Sequence, residues 1–431
     1  MDEVPVVTCF LREGGEVLLL RRSDAVGSYA GAWGAVAGHV ASDGTDPTAP
    51  DRDPLSAARA EIREETGLAD ATLVRAGEPF PVADADLDRR WVVHPFLFEV
   101  GGRDVEPNRE TAAVAWVPPT AILARETVPR LWTSYDRVRP RVATITGDRE
   151  HGSTWLSVRA LEVLRDEAGL AAVGRHEADE RAERDGDDWA ALASLARRLR
   201  DARPAMVVVA NRVNRAMRAA AGDGTPAALR ERAHEHARGA LDADRRAATL
   251  AAERLPERVA TLSRSGTALT ALRERDPSAV LVAESRPGRE GVGVAEALAD
   301  SADVTLTTDA AFPGELASWS AGALVVGADR MLPDGRVLNK VGTRGAALAA
   351  PADCPTYVVA ASDKVAPDDA VDREARDPAE VYDGDADLAV ANPTFEVTPA
   401  GAVDAVLTER GALSADDVAT LAAEHRAAAE W

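Results

Sequence analysis

From Ser278 onward the chain alternates short apolar runs (AVLVAES, VTLTTDA, ALVVGAD, TYVVAAS, LAVANP) with Ala-rich segments of helical length. Few folds accept that alternation; it predicts a parallel sheet with helices on its faces. Ligands of such sheets sit beyond the carboxyl ends of the strands, so the polar residues closing each run are the first candidates for chemistry. Upstream the texture differs. Residues from Trp155 to about Glu274 read as helical, broken by a charged stretch at 175–188 expected to be an exposed connector or helix face. Nearer the start, VVTCFL and VLLL flank Glu13-Gly14-Gly15-Glu16, a hairpin signal. WVVHPFLFEV and AVAWVP add strands, and Leu55–Thr66 carries apolar residues at helical spacing with Gly67 placed to end it. The expected organisation is an α+β domain over 1–140, a helical subdomain over 150–275 and an α/β domain over 276–431.

Two or three domains also suit a length of 431 residues. The surface charge excludes several partners. Seventy-two acidic residues face 50 Lys+Arg, a net charge of −22, which repels nucleic-acid backbones and anionic membranes. No nucleic acid and no membrane is therefore expected as a partner, and any anion site must be locally basic. Lys340 and Lys364 are the only lysines, leaving 48 of the 50 cations as arginine. This acidic, Lys-poor composition resembles proteins of halophilic archaea; a GC-rich genome biases codons the same way, and the two causes act together. Cys9 and Cys354 are too few for a disulfide framework. With no basic segment near Met1 and no apolar run of about 18 residues, a cytoplasmic protein is expected.

Glu61, Glu64 and Glu65 stand at i, i+3 and i+4 and share one helical face. Clustered like charges ask for a cation, and hard oxygen donors suit Mg²⁺ or Mn²⁺. Alternatively the face is solvated, with Arg59 and Arg63 as partners. The string Ala60-Glu61-Ile62-Arg63-Glu64-Glu65-Thr66-Gly67-Leu68, preceded by Trp33-Gly34-Ala35-Val36-Ala37-Gly38, resembles the Nudix box. That resemblance implies an α/β/α sandwich over about the first 140 residues. It also implies cleavage of a nucleoside diphosphate linked to another group, with the metal held by Glu61, Glu64 and Glu65 and catalysis by Glu64 and Glu65. Two positions depart from the box: its leading Arg is Ala60, and its first Glu counts back to Arg52, between Asp51 and Asp53 in the lengthened, Pro/Asp-rich stretch from Ser42 to Pro54.

Four polar clusters close strands or open helices downstream: Glu284-Ser285-Arg286-Pro287-Gly288-Arg289-Glu290-Gly291, Asp309-Ala310-Ala311, Gly327-Ala328-Asp329-Arg330 and Asn339-Lys340-Val341-Gly342-Thr343. Arginines bind phosphate bidentately, helix starts add backbone N–H donors, and an aspartate can move a proton. Singly each cluster reads as a turn or cap. Together, with Asn392-Pro393-Thr394-Phe395-Glu396 and Thr408-Glu409, they resemble the family uniting methylthioribose-1-phosphate isomerase, ribose-1,5-bisphosphate isomerase and the regulatory subunits of translation initiation factor 2B. The resemblance runs from Trp155 to Leu413. It implies a helical subdomain before a Rossmann-like parallel sheet, a homodimer through the C-terminal domain, and a bound ribose phosphate. Asp329 would then be the acid/base, with Arg286, Arg289, Asn339 and Lys340 near the ligand. The isomerases carry a cysteine in a T-H-C-N-S-G-like segment; the comparable stretch here is Thr261-Leu262-Ser263-Arg264-Ser265-Gly266-Thr267.

Two functions fit these features. One is a Nudix-type hydrolase acting on an ADP-ribose-like compound, coupled to binding or isomerisation of the phosphorylated ribose. The other is a non-catalytic sensor of nucleotides or sugar phosphates, related to initiation factor 2B subunits.

Overall fold

The computed structural model describes residues 2–40, 53–85, 87–148, 150–174 and 188–431. It divides into two compact units, residues 1–141 with 165–186 and residues 142–164 with 187–431. The stretches 41–52 and 175–187, which hold Arg52 and most of the expected connector, lie outside the described residues.

The first unit contains β1 (Asp2–Glu13), β2 (Glu16–Arg22), β3 (Trp33–Gly34), β4 (Val36–His39), α1 (Pro54–Thr66), β5 (Ala71–Ala76), β6 (Phe80–Asp84), β7 (Arg89–Val100), β8 (Thr111–Val117) and α2 (Leu131–Asp136). Its described strands form an eight-stranded mixed sheet in which β1 runs parallel to β7, while β2 and β4 pair antiparallel to β1. Alternation along β1 and β2 sends Cys9, Leu11, Leu18 and Leu20 to the face covered by α1. Phe10, Val17 and Leu19 go to the other face, which α2 covers through Leu131 and Tyr135. Both faces are covered, giving the expected sandwich. Helix α1 starts where the Asp53 carboxylate accepts the Leu55 and Ser56 N–H groups, at 3.0 and 3.2 Å. It stops at Gly67, whose φ of 73° suits a residue without a Cβ. Its buried Ala57, Ala58 and Ile62 pin it to the sheet; truncating Ile62 to Ala would cost about 2–5 kcal/mol.

The chain continues through α3 (Val142–Gly147), α4 (Ser153–Ala172), α5 (Asp188–Arg200), α6 (Val207–Ala220) and α7 (Pro226–Ala252). The unit division falls within α4, so the expected domain limit at 140 leaves out residues 165–174, which pack with the first unit. There Arg165 donates to the Gly15 carbonyl at 2.7 Å, and the Tyr135 hydroxyl donates to Asp166 at 3.1 Å.

In the second unit the helical part gives way to β9 (Arg258–Leu262), α8 (Gly266–Arg275), β10 (Ala279–Ala283), α9 (Glu290–Leu298), β11 (Asp303–Thr307), α10 (Phe312–Ser318) and β12 (Ala323–Val326). Then follow β13 (Arg330–Met331), β14 (Val337–Lys340), α11 (Thr343–Ala349), β15 (Thr356–Val359), β16 (Phe395–Thr398), β17 (Ala405–Thr408), β18 (Gly411–Leu413) and α12 (Ala415–Ala428). The main sheet has the order β11-β10-β9-β12-β15-β17-β18, parallel except for β18. Its inner strands are apolar on both faces, because both are covered. A small antiparallel sheet, β13-β14-β16, stands beside it.

Two expectations change here. The boundary at 276 falls inside the sheet, because β9, at 258–262, is one of its central strands. LAVANP is not a strand: Leu388 is exposed among Asp383, Asp385 and Asp387, and Asn392 is tied to the Asp377 carbonyl at 2.8 Å. The parallel strand expected there is β17 instead.

Candidate functional site

In the first unit, α1 and β4 bring two of the three expected carboxylates together. Gly38 lies so close to Glu61 that a Cβ there would meet the Glu61 carboxyl carbon at 2.0 Å, so any side chain at this position would displace the Glu61 carboxylate. Glu65, one turn on, accepts the Ala37 N–H and faces Glu61; burial, then the Glu61 charge, pushes its carboxyl up to about 8. The Cys9 thiol beneath is pushed well above its usual range by burial, then by the Glu65 and Glu61 charges. Glu64 is exposed. Among the described residues no group of three or more His, Cys, Asp or Glu side chains that could hold a metal is found. Paired carboxylates whose charges oppose each other nonetheless have the donor chemistry of a hard divalent cation such as Mg²⁺ or Mn²⁺.

The second unit places its chemistry by topology. The chain runs outward from β9 to β10 and β11, then returns to β12 on the other side of β9, so the sheet reverses direction between β9 and β12. Ligands of open parallel sheets bind at such a point. The loops leaving those two strands, 263–266 and 327–329, line a cavity of about 60 Å³ with Ser153, Asp329, Asn339 and Lys364. Gly327 has no side chain because the Ser265 Cβ and Oγ would lie 2.6 Å from its Cβ. Asp329 accepts from Ser153 Oγ at 3.2 Å. Burial raises its carboxyl, and the charge of Lys364 and the Ser153 bond pull it back in part.

A second cavity of about 720 Å³ is lined by Arg264, Arg289 and Arg376 together with Glu150, Glu290 and Glu296. Arg264 lines both spaces. It stands just before α8, whose N-cap Ser265 accepts the Ala268 N–H at 3.3 Å.

The expected ligand residues therefore separate. Asp329 and Asn339 share the small cavity, and Arg289 lines the larger one. Lys340 lines neither; its ammonium is buried against Glu290 at 2.8 Å. Arg286 lines neither and is exposed, paired with Glu284 at 3.2 Å. Arg264, Arg376, Ser153 and Lys364 were not singled out by sequence. Rarity was the available signal for Lys364, which shares it with Lys340.

The sequence pattern of the Initiation factor 2 subunit family matches residues 149–415, more than half of the chain. The chain belongs to that family. Ahead of this family region, residues 2–138 match the NUDIX domain. Among curated relatives, the methylthioribose-1-phosphate isomerase of Xylella fastidiosa strain M23 is 35% identical over 158 residues, 33% of this chain and 44% of that protein. The corresponding enzyme of Xanthomonas euvesicatoria pv. vesicatoria strain 85-10 is 33% identical over 37% of this chain and 49% of its own length. This chain thus spans less than half the length of those two relatives. The isomerase of Xylella fastidiosa strain 9a5c is 32% identical over 52% of this chain and 72% of that protein. A solved translation initiation factor eIF-2B from Pyrococcus horikoshii is similar at a TM-score of 0.52 and 26% identity, covering 63% of this chain and 94% of that one. The 5-methylthioribose 1-phosphate isomerase of Pyrococcus horikoshii shares the fold at a TM-score of 0.51 and 20% identity, over 73% and 89% of the two chains. Among the described residues no helix is long and apolar enough to cross a membrane.

Proposed function

We propose that the family region binds and isomerises a phosphorylated ribose. The NUDIX domain, on this reading, hydrolyses a nucleoside diphosphate-linked compound such as ADP-ribose, a reaction that releases a ribose phosphate. The observation that carries the sugar-phosphate reading is Arg264, common to the Asp329 cavity and the arginine-lined cavity. A phosphate on Arg264 and Arg289 places the attached sugar toward Asp329, which moves the proton. Arg376 is partly neutralised by Glu380, at 2.6 and 2.7 Å, so it shapes the cavity more than it adds charge.

In the NUDIX domain Glu61 and Glu65 would hold the divalent cation, with Gly38 leaving room for the first and the Ala37 N–H orienting the second. When bound, that ion would shield the pyrophosphate charge and activate water. Glu64, on the exposed side of the helix, would complete the set on this reading. The chain is expected to act in the cytoplasm as a homodimer built through its family region.

Ser263, standing where the isomerases carry cysteine, favours a second reading: a sensor that binds the ribose phosphate without turnover. Phosphorus NMR separates the readings. The protein is incubated with ADP-ribose and Mg²⁺, and separately with methylthioribose 1-phosphate and ribose 1,5-bisphosphate. New ketose phosphate signals support isomerisation, and calorimetric binding without new signals supports the sensor. Absence of both removes the sugar-phosphate reading, and an unchanged ADP-ribose spectrum removes that substrate for the NUDIX domain.

A further inference from the structure

A chain that writes 48 of its 50 cations as arginine keeps lysine at two places. Arginine cannot give up its proton at any pH a protein survives, whereas a buried lysine can. One of the two, Lys340, is fixed against Glu290. The other, Lys364, has no carboxylate within ion-pair distance among the described residues; its ammonium donates to the Ala328 carbonyl at 2.5 Å and lines the Asp329 cavity. The fold holds it there with care. Asn211 on α6 donates to the carbonyls of Asp363 and Val365, both at 2.8 Å, clamping the short helical turn Ser362–Lys364. Arg212 binds Asp363 at 3.0 Å and Asp244 at 2.9 Å.

Isomerising a ring-closed aldose 1-phosphate needs two proton carriers. One takes the C2 proton and later delivers it to C1. The other protonates the ring oxygen as the C1–O4 bond breaks, then recovers the O2 proton as the C2 carbonyl forms. The C2–H pair becomes the enol double bond and the C1–O4 pair stays on O4, so no oxidant or reductant is needed. Position 263, where the isomerases carry cysteine, supplies only a serine hydroxyl.

We propose that Asp329 and Lys364 are the two proton carriers of this cavity, with the Lys364 ammonium giving the proton to the ring oxygen and Asp329 working at carbon. This rests on the isomerase reading of the family region. The surroundings suit exchange of a proton. Burial lowers the Lys364 ammonium, the Asp329 and Asp244 charges raise it again in part, and Arg212 adds to the lowering. Facing Asp329 are Lys364, Ser153, Glu374 and Arg203.

Two lysines make the test clean. Protein carrying lysine labelled with ¹³C at Cε gives two signals, and Lys340→Arg assigns them without touching Lys364. The Lys364 signal should titrate below the ordinary lysine range and move again in Asp329→Asn. Lys364→Arg keeps the cation but cannot release a proton, so conversion of methylthioribose 1-phosphate should fall by about a hundredfold or more while calorimetric affinity stays within a few-fold. Lys364→Met serves in its place if the longer arginine unfolds the site. Wild-type turnover in a folded Lys364→Arg, or a Lys364 signal that titrates as an ordinary lysine and ignores Asp329→Asn, overturns the proposal. If the wild type neither binds nor converts the sugar phosphates, the isomerase reading fails. The lysine titration then still decides the pair: coupled signals keep the two groups as electrostatically linked across the cavity, and uncoupled ones overturn it.

Discussion

The two units solve the burial of a carboxylate in opposite ways. In the NUDIX domain, Glu61 and Glu65 face each other, and Glu65 is driven up to about 8 by burial and its neighbour's charge. In the family region, Asp329 is also raised by burial, but Lys364 and Arg203 stand opposite it as cations that belong to the chain. A like-charge pair is relieved by an ion that can come and go; a carboxylate facing a lysine carries its counter-charge permanently. The first arrangement suits chemistry on a charged phosphate, and the second suits shuttling protons on an uncharged carbon skeleton.

Removing the group each arrangement is built around should give the largest effects. Asp329→Asn should slow sugar-phosphate isomerisation by about 10³-fold while calorimetric affinity changes little, since the proton carrier matters mainly at the transition state. Affinity and turnover falling together would mean that Asp329 binds the sugar instead. Glu65→Gln should cost about 10²-fold in Mg²⁺-dependent hydrolysis, a few kcal/mol of charge stabilisation. In chelator at neutral pH the same variant should melt higher than wild type, because wild type folds only by protonating Glu65, whose carboxyl burial and the Glu61 charge push up to about 8, and glutamine carries no such cost. A lower melting point in chelator would show that the pair is stabilised within the chain and has no need of an ion.

The contrast also explains what the sequence made visible. The α1 helix was legible to within a residue because its signals are local: the apolar spacing of Leu55, Ala58 and Ile62, and Gly67 at its end. The convergence of Glu61 and Glu65 followed from the same periodicity, but the exposure of Glu64 depends on how β4 lies against the helix. The place of Asp329 beyond a strand end, at a cavity, was legible because ligands of parallel sheets sit there. Strand β9 was not, since five residues of RVATL between a 27-residue helix and an Ala-rich one read as more helix. The motif strings point to Lys340 and Arg286 and leave Lys364 and Arg264 unassigned, because such strings carry no direction. Only the fold turns Lys340 toward Glu290 and brings Lys364, in a short helical turn without a motif, to the cavity that Asp329 lines.

That choice has a measurable consequence. Arg264→Ala should weaken binding of ribose 1,5-bisphosphate by about ten- to a hundredfold, the value of one charge-assisted contact. Arg286→Ala, exposed and outside both cavities, should stay within about twofold. Isothermal calorimetry on both variants decides it, and the reverse ranking would return the phosphate site to the Glu284–Gly291 loop.

The smallest effect concerns stability in acid, where the fixed cations of the family region again set the direction. Burial pushes the Asp363 carboxyl up, but Arg212 and Arg215 outweigh it and hold the group at about 2, against 3.8 for an ordinary aspartate. A carboxyl depressed in the folded chain adds stability that is complete above the unfolded value and disappears as pH falls through the folded one. Urea melts should therefore lose on the order of 2 kcal/mol from this group between about pH 4 and pH 2. Arg215→Ala removes the half-exposed member of the pair, leaves the Arg212 contacts to Asp363 and Asp244 in place, and should shrink that loss. An acid profile identical to wild type would mean that Arg212 alone holds Asp363 and the turn that carries Lys364.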